Sequence, residues 1–284
     1  MRGLSRMLRS RVAGAAIVLA FPLAAANTPL ASADAGSDAL TEIRKLEAGP
    51  RHWTTRRQEL HLTTGETRGG SRERDLIMLT HKDGDKGEQT LTVFLSPPEV
   101  RGTAFLQMSL PDLEIEQWIF LPALERVRRI TSRARDQSFV GTAFSYRDLE
   151  LLTDAVDFSE DEAPSKLLET RPANGDAPEQ LLIERRAGSR SLGYDAVVVE
   201  VDSSAKLVRA LRFLGEDGKL KKQLAFQDIR KLGQIPTPHK LVMQDEGRGS
   251  TTTVLVTEVI FDEEVSPDLF TEQGLEDALE LLEN

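Results

Sequence analysis

The chain has 284 residues, no cysteine and a formal net charge of −10. The lack of cysteine excludes disulfides, thiolate metal ligands and acylation on a cysteine, and the acidic balance argues against a nucleic-acid partner. The length is enough for one β-rich domain, or two smaller ones, with a large buried core.

Arg2, Arg6, Arg9 and Arg11 precede an apolar run from Val12 to Ala26 and the small residues Ala31 and Ala33. This is the pattern of a secretory signal peptide over residues 1–33, cleaved after Ala33 or, as second choice, after Ala26. The run falls short of the about 20 apolar residues of a membrane span, and it is apolar all round, unlike an amphipathic anchor helix. Its removal takes four arginines and no acid, leaving a charge of −14. The expected product is a periplasmic protein with a single domain over residues 34–284.

Residues 34–51 read as an opening helix, with Leu40, Ile43 and Leu46 at helical spacing and Gly49-Pro50 as the stop. From Trp53 the hydrophobic period becomes two. Strands are predicted over 57–62, 74–80 and 89–95, with turns at Thr64-Gly65 and over 83–87. The latter resembles a calcium loop, but Glu88 stands where a Gly is required, so it reads as a hairpin tip. Three more strands are predicted over 103–109, 115–121 and 126–131, then a short helix from Ser145 to Leu152. The acidic loop 154–162 reads as solvated rather than as a metal site, and 172–178 as the least structured part. Strands follow over 181–185, 196–201, 208–214, 221–228, 240–244 and 251–261, joined as hairpins, with a closing helix over 272–282.

Several strands are apolar on both faces, so the sheet must be covered twice. In one of them Trp118 and Phe120 oppose Ile119 and Leu121. The pattern predicts an α+β domain, mainly antiparallel β, with about eleven strands in a curved incomplete barrel wrapped on helices.

Enzyme motifs are absent: there is no metalloprotease, nucleophile-elbow or phosphate-loop signature, and the four histidines lie far apart. A lipid hydrolase is therefore the third-ranked reading, and no cofactor or metal is expected. Phe94, Leu106, Met108, Trp118, Phe120 and Phe144 are either ordinary core, which composition favours, or the lining of a lipid-sized cavity. Arg126, Arg128, Arg129, Arg133 and Arg135 either pair with neighbouring acids such as Glu114, Glu116 and Asp136, or meet an anionic partner at a rim, with Arg126 and Arg128 the candidates.

Four segments carry a resemblance: PEVRGTAFL over 98–106, QWIFLPAL over 117–124, RVRRI over 126–130 and FVGTAFSYRDL over 139–149. They resemble the outer-membrane lipoprotein-sorting, LolA-like family, in the branch found with lipid exporters of the resistance-nodulation-division type. DGKL over 217–220, IPTP over 235–238 and DLFT over 268–271 support it. The resemblance implies helices covering the concave side of an incomplete barrel, and an internal cavity that shelters acyl chains of a lipid or lipoprotein. It implies no catalytic residue. Its expected partners are the cargo and an inner-membrane exporter or outer-membrane acceptor. The rival expectation is an accessory exporter subunit with a filled core.

Overall fold

The computed structural model describes residues 33–66, 69–83, 87–109, 115–154, 165–175, 177–186 and 193–283. The segment expected to be a signal peptide, as far as residue 32, the tip at 84–86 and the acidic loop from 155 onward lie outside them. Among the described residues, thirteen strands form one sheet in which every neighbouring pair is antiparallel. They are β1 Thr55–Glu66, β2 Ser71–Asp83, β3 Gly87–Ser96, β4 Ala104–Ser109, β5 Ile115–Leu121, β6 Arg126–Arg129 and β7 Ser165–Arg171. The rest are β8 Gln180–Arg186, β9 Ala196–Asp202, β10 Leu207–Leu214, β11 Leu220–Leu232, β12 Ile235–Asp245 and β13 Ser250–Phe261.

Every neighbour in the sheet is a sequential hairpin partner except at one seam, where β1 pairs with β13. The strand order is therefore two meanders joined at that seam, with β6 and β7 as the outer edges. The sheet does not close. β6 is only four residues long and three of them are arginine, features that discourage pairing with another chain's edge.

Three helices accompany the sheet: α1 Ala33–Ala48, α2 Tyr146–Asp154 and α3 Gly274–Glu283. They divide between its faces. Leu40 and Ile43 of α1, and Tyr146 and Leu151 of α2, share a buried cluster with Leu60, Phe105, Ile119, Val199 and Val254. Leu275 and Ala278 of α3, with Leu269 and Phe270 of the preceding 3-10 turn, bury a second cluster with Ile77, Leu91, Leu106 and Trp118. The demand that a two-faced apolar sheet be covered twice is thus met by α1 and α2 on one side and α3 on the other.

The thirteen described strands exceed the expected total of about eleven, and twelve of them overlap the twelve ranges predicted from the sequence. β7 was not predicted, because its apolar alternation stops at Leu167 and a register shift between Leu167 and Glu169 breaks the period. β1 runs straight through Thr64-Gly65, where a turn was expected, and pairs there with Ser71, Arg72, Thr251 and Thr252. β11 and β12 are longer than predicted: Ile229–Leu232 pair with Ile235–Pro238. Pro236 and Pro238 are tolerated there because the pairing of β12 with β13 stops at Lys240, leaving their other edge free of a ladder.

Candidate functional site

The α1/α2 face of the sheet encloses a cavity of about 410 Å³. Strand register sets its lining in rows. Arg56, Thr80 and Thr90 lie opposite one another across β1, β2 and β3. The next row is Gln58, Met78 and Thr92, and the one after it begins with Leu60 and Leu76. Val256 and Val254 of β13 continue the rows from Leu60 and Leu62. From Arg56 to Leu62 is six residues, or about 20 Å of strand. The wall thus passes from charged, through hydroxyl and amide, to purely apolar, with Phe105, Phe139, Phe144 and Leu152 closing in from the β4 and α2 side.

The polar end is built around Trp53, which is buried and packs against Phe261 with the ring centres 5.9 Å apart and the planes tilted by 47°. Arg56 places its guanidinium 4.6 Å over the indole and Lys82 its Nζ at 4.0 Å from the ring centre, both within cation–π range. The Arg56 Nε is buried with no hydrogen-bond acceptor. Burial lowers the Arg56 guanidinium from its ordinary pKa, opposed by the charges of Glu88 and Glu47, which also line the cavity. Arg51 is committed elsewhere, donating to the carbonyls of Lys206 and Ala205, while Lys206 pairs with Glu42 at 2.8 Å. These contacts tie the end of α1 to the β9–β10 turn.

The opposite end of the same face is sealed by a buried ionic cluster. Lys222 on β11 donates to Asp148 of α2 at 2.7 Å and to the Ala143 carbonyl at 3.1 Å, and pairs with Asp245 at 3.2 Å. Tyr194 donates its hydroxyl to Asp148 at 2.7 Å; burial first, then the Asp148 charge, pushes its phenol well above the ordinary value. Asp148 also accepts from the Ser145 backbone at 2.7 Å, while Ser145 Oγ accepts from the Asp148 amide. This reciprocal N-terminal cap holds α2 over β4 and β5, where Gln117 donates to the Tyr146 carbonyl and to Gln107. The cluster came from no sequence motif except the Ser145 start of the helix, since Lys222 and Asp148 stand 74 residues apart.

Of the six predicted cavity residues, Phe144 lines the cavity. Phe94 shares the same face, fully buried against Phe139 rather than at the cavity wall. Leu106, Met108, Trp118 and Phe120 are on the other face, packed with α3. The correction follows from pleating: Phe105 pairs with Ile119 on the cavity face, and this turns Leu106 and Trp118 away from it. Gly102, at φ +77°, makes the turn into β4, and a side chain there would meet Pro122 and Leu279.

The arginine cluster divides. Arg129 pairs with Glu116, and Arg135 with Glu150 at 2.9 Å and with the Ile115 carbonyl. Asp136 is held instead by Arg147, at 2.6 Å. Arg126 and Arg128 are exposed on β6 and stand apart from the cavity lining, which removes them from its rim. Among the described residues there is no cluster of acids and histidines fit to hold a metal, and no helix long and apolar enough to cross a membrane.

An unclosed antiparallel sheet with helices against its cavity face is the lipoprotein-sorting, LolA-like fold, and solved structures share it. An outer membrane lipoprotein-sorting domain from Vibrio parahaemolyticus superposes with a TM-score of 0.75 at 24% identity, over 86% of this chain and 100% of that one. A DUF1329 family protein from Desulfovibrio piger gives 0.75 at 24% identity, over 86% and 98%. A LolA superfamily protein from Nitrosomonas europaea gives 0.61 at 15%, over 84% and 98%. A family model described as "Uncharacterized protein"-like matches residues 86–277, and the chain belongs to that family. No protein of curated function matches.

Proposed function

We propose that the protein is a non-enzymatic periplasmic carrier that shelters the acyl part of a lipid or lipoprotein inside the unclosed sheet during transfer toward the outer membrane. The observation that carries this reading is the cavity itself: about 410 Å³ of space whose deep half is walled by Leu60, Leu62, Leu76, Val254, Val256 and Phe144. Burying a methylene is worth about 0.8 kcal/mol, so one acyl chain supplies ample affinity without any reactive group. Under this reading Phe144 contacts cargo, and the exposed Arg126 and Arg128 are available to an acidic exporter or acceptor. The cavity also speaks against an exporter subunit with a filled core.

Gentle purification followed by native mass spectrometry tests the reading. The expected result is a protein carrying co-purified lipid, or one that takes up an uncharged acyl probe after delipidation. A protein that does neither overturns it.

A further inference from the structure

Resting on the carrier reading, we infer that the cavity is a site for a single-chain amphiphile with an anionic head, a carboxylate or a phosphate monoester, bound between Arg56 and Lys82 beside Trp53. A methylene needs no more than about the ~30 Å³ share of one water, so about 410 Å³ has room for at least on the order of a dozen methylenes, the length of one medium acyl chain. The wall has the matching polarity and length, since about 20 Å separate the Arg56 row from the Leu62 row, close to the extended length of such a chain with its head.

A buried guanidinium nitrogen normally has an acceptor, yet Arg56 Nε has none. Among the described residues neither Arg56 nor Lys82 enters an ion pair, and each is held against the Trp53 ring instead. Glu47 and Glu88 lie near enough to favour the Arg56 charge without capping it. An incoming carboxylate or phosphate supplies the missing acceptor while its chain fills the apolar rows below.

The test is calorimetric titration of the delipidated protein with dodecanoate, dodecyl phosphate, the uncharged monododecanoylglycerol and inorganic phosphate, all below micelle-forming concentrations. Both anionic amphiphiles are expected to bind about 10–100-fold more tightly than the uncharged one, as a hydrogen bond to a charged group implies. Inorganic phosphate alone is expected to bind weakly or not at all. In Arg56→Met the ratio of anionic to uncharged affinity should fall toward one, with Lys82→Met giving a smaller fall. Because Arg56 has no ion pair and only the Trp53 ring contact to lose, Arg56→Met should change the ligand-free melting temperature little, whereas loss of a guanidinium held in a buried ion pair would lower it markedly. Equal binding of charged and uncharged amphiphiles, an unchanged ratio in both variants, or phosphate binding as tightly as dodecyl phosphate overturns the inference while leaving the carrier reading intact. Binding of none of the amphiphiles overturns both.

Discussion

Strands β2 to β5 are apolar on both faces, and the two faces are finished in different ways. Under α3 the side chains are shut away from solvent: Leu91, Val93, Ala104 and Leu106 are fully buried, and Trp118 packs in the same cluster as the helix. On the other side the same strands contribute Phe105, Leu76 and Met78 to a wall that α1 and α2 approach without filling. One face is thus closed by buried side chains, and the other keeps a cavity, a departure from the close packing usual in interiors. The departure depends on polar anchors. α2 is held over the cavity by Asp148 and Lys222 at the sealed end, where an apolar helix face alone would be free to slide inward and close the space.

That contrast yields a graded set of expectations. The largest effects fall on the two devices that set the faces apart. Lys222→Met leaves Asp148 buried without a cation and Asp245 with only Arg248, at 3.8 Å, and urea unfolding should show a loss of about 3–5 kcal/mol. Trp118→Ala should cost a similar 3–5 kcal/mol as a deletion from filled core, but without changing the affinity of the folded fraction for an acyl probe. A change in that affinity would mean that the faces communicate.

Enlarging a side chain separates the faces more sharply. Leu106→Trp, on the filled side, should overpack and cost about 1–3 kcal/mol in a thermal melt. Leu62→Trp points into open space, so it should cost less than about 1 kcal/mol while weakening probe binding at least tenfold. The reverse order of the two melts would show that the cavity is closed in solution.

The smallest effect concerns the segment leading into α2. The hydrogen bond from Arg147 holds the Asp136 carboxyl below the usual range, and the Asp136 side chain is 68% exposed. A surface pair of this kind contributes at most about 1 kcal/mol. Because the native pKa is lowered, the contribution is complete above the unfolded value of about 3.9 and is lost as pH falls through the lowered one. Asp136→Asn should therefore be slightly less stable than the parent at pH 5 and above, and the difference should close at more acid pH in a series of urea titrations.

How far the site was legible follows from what alternation can say. The bounds of β5 were predicted as they stand, and so was the opposition of Trp118 to Ile119. Which of the two faced the cavity was not legible, because a strand apolar on both faces carries no mark of which side its helices leave open. Polarity did carry a mark, in a strand read for its apolar residues. Gln107 and Gln117 interrupt apolar runs on the cavity face, and a buried glutamine in such a run implies a backbone to satisfy, here the first turn of α2. Arg56 and Trp53 were passed over because they stand at a strand boundary, where a charged residue ordinarily means solvent. Lys222 sits in the unremarkable string LKKQLAF, and only the fold brings Asp148 to it. β7 was missed for a local reason, a bulge that halves its periodic stretch.

The seam between β1 and β13 also bears on how the molecule comes into being. It sets Arg56 opposite Phe261 and Leu62 opposite Val254, residues about two hundred apart, and pairings that distant form late and slowly. Until they form, β1 has a bare edge, and the cavity lacks the wall contributed by Val254 and Val256. The last strand to be made is thus the one that completes the container. A chain whose seam is still open would lack that wall, so acyl-probe binding during refolding should appear together with the pairing of β1 and β13.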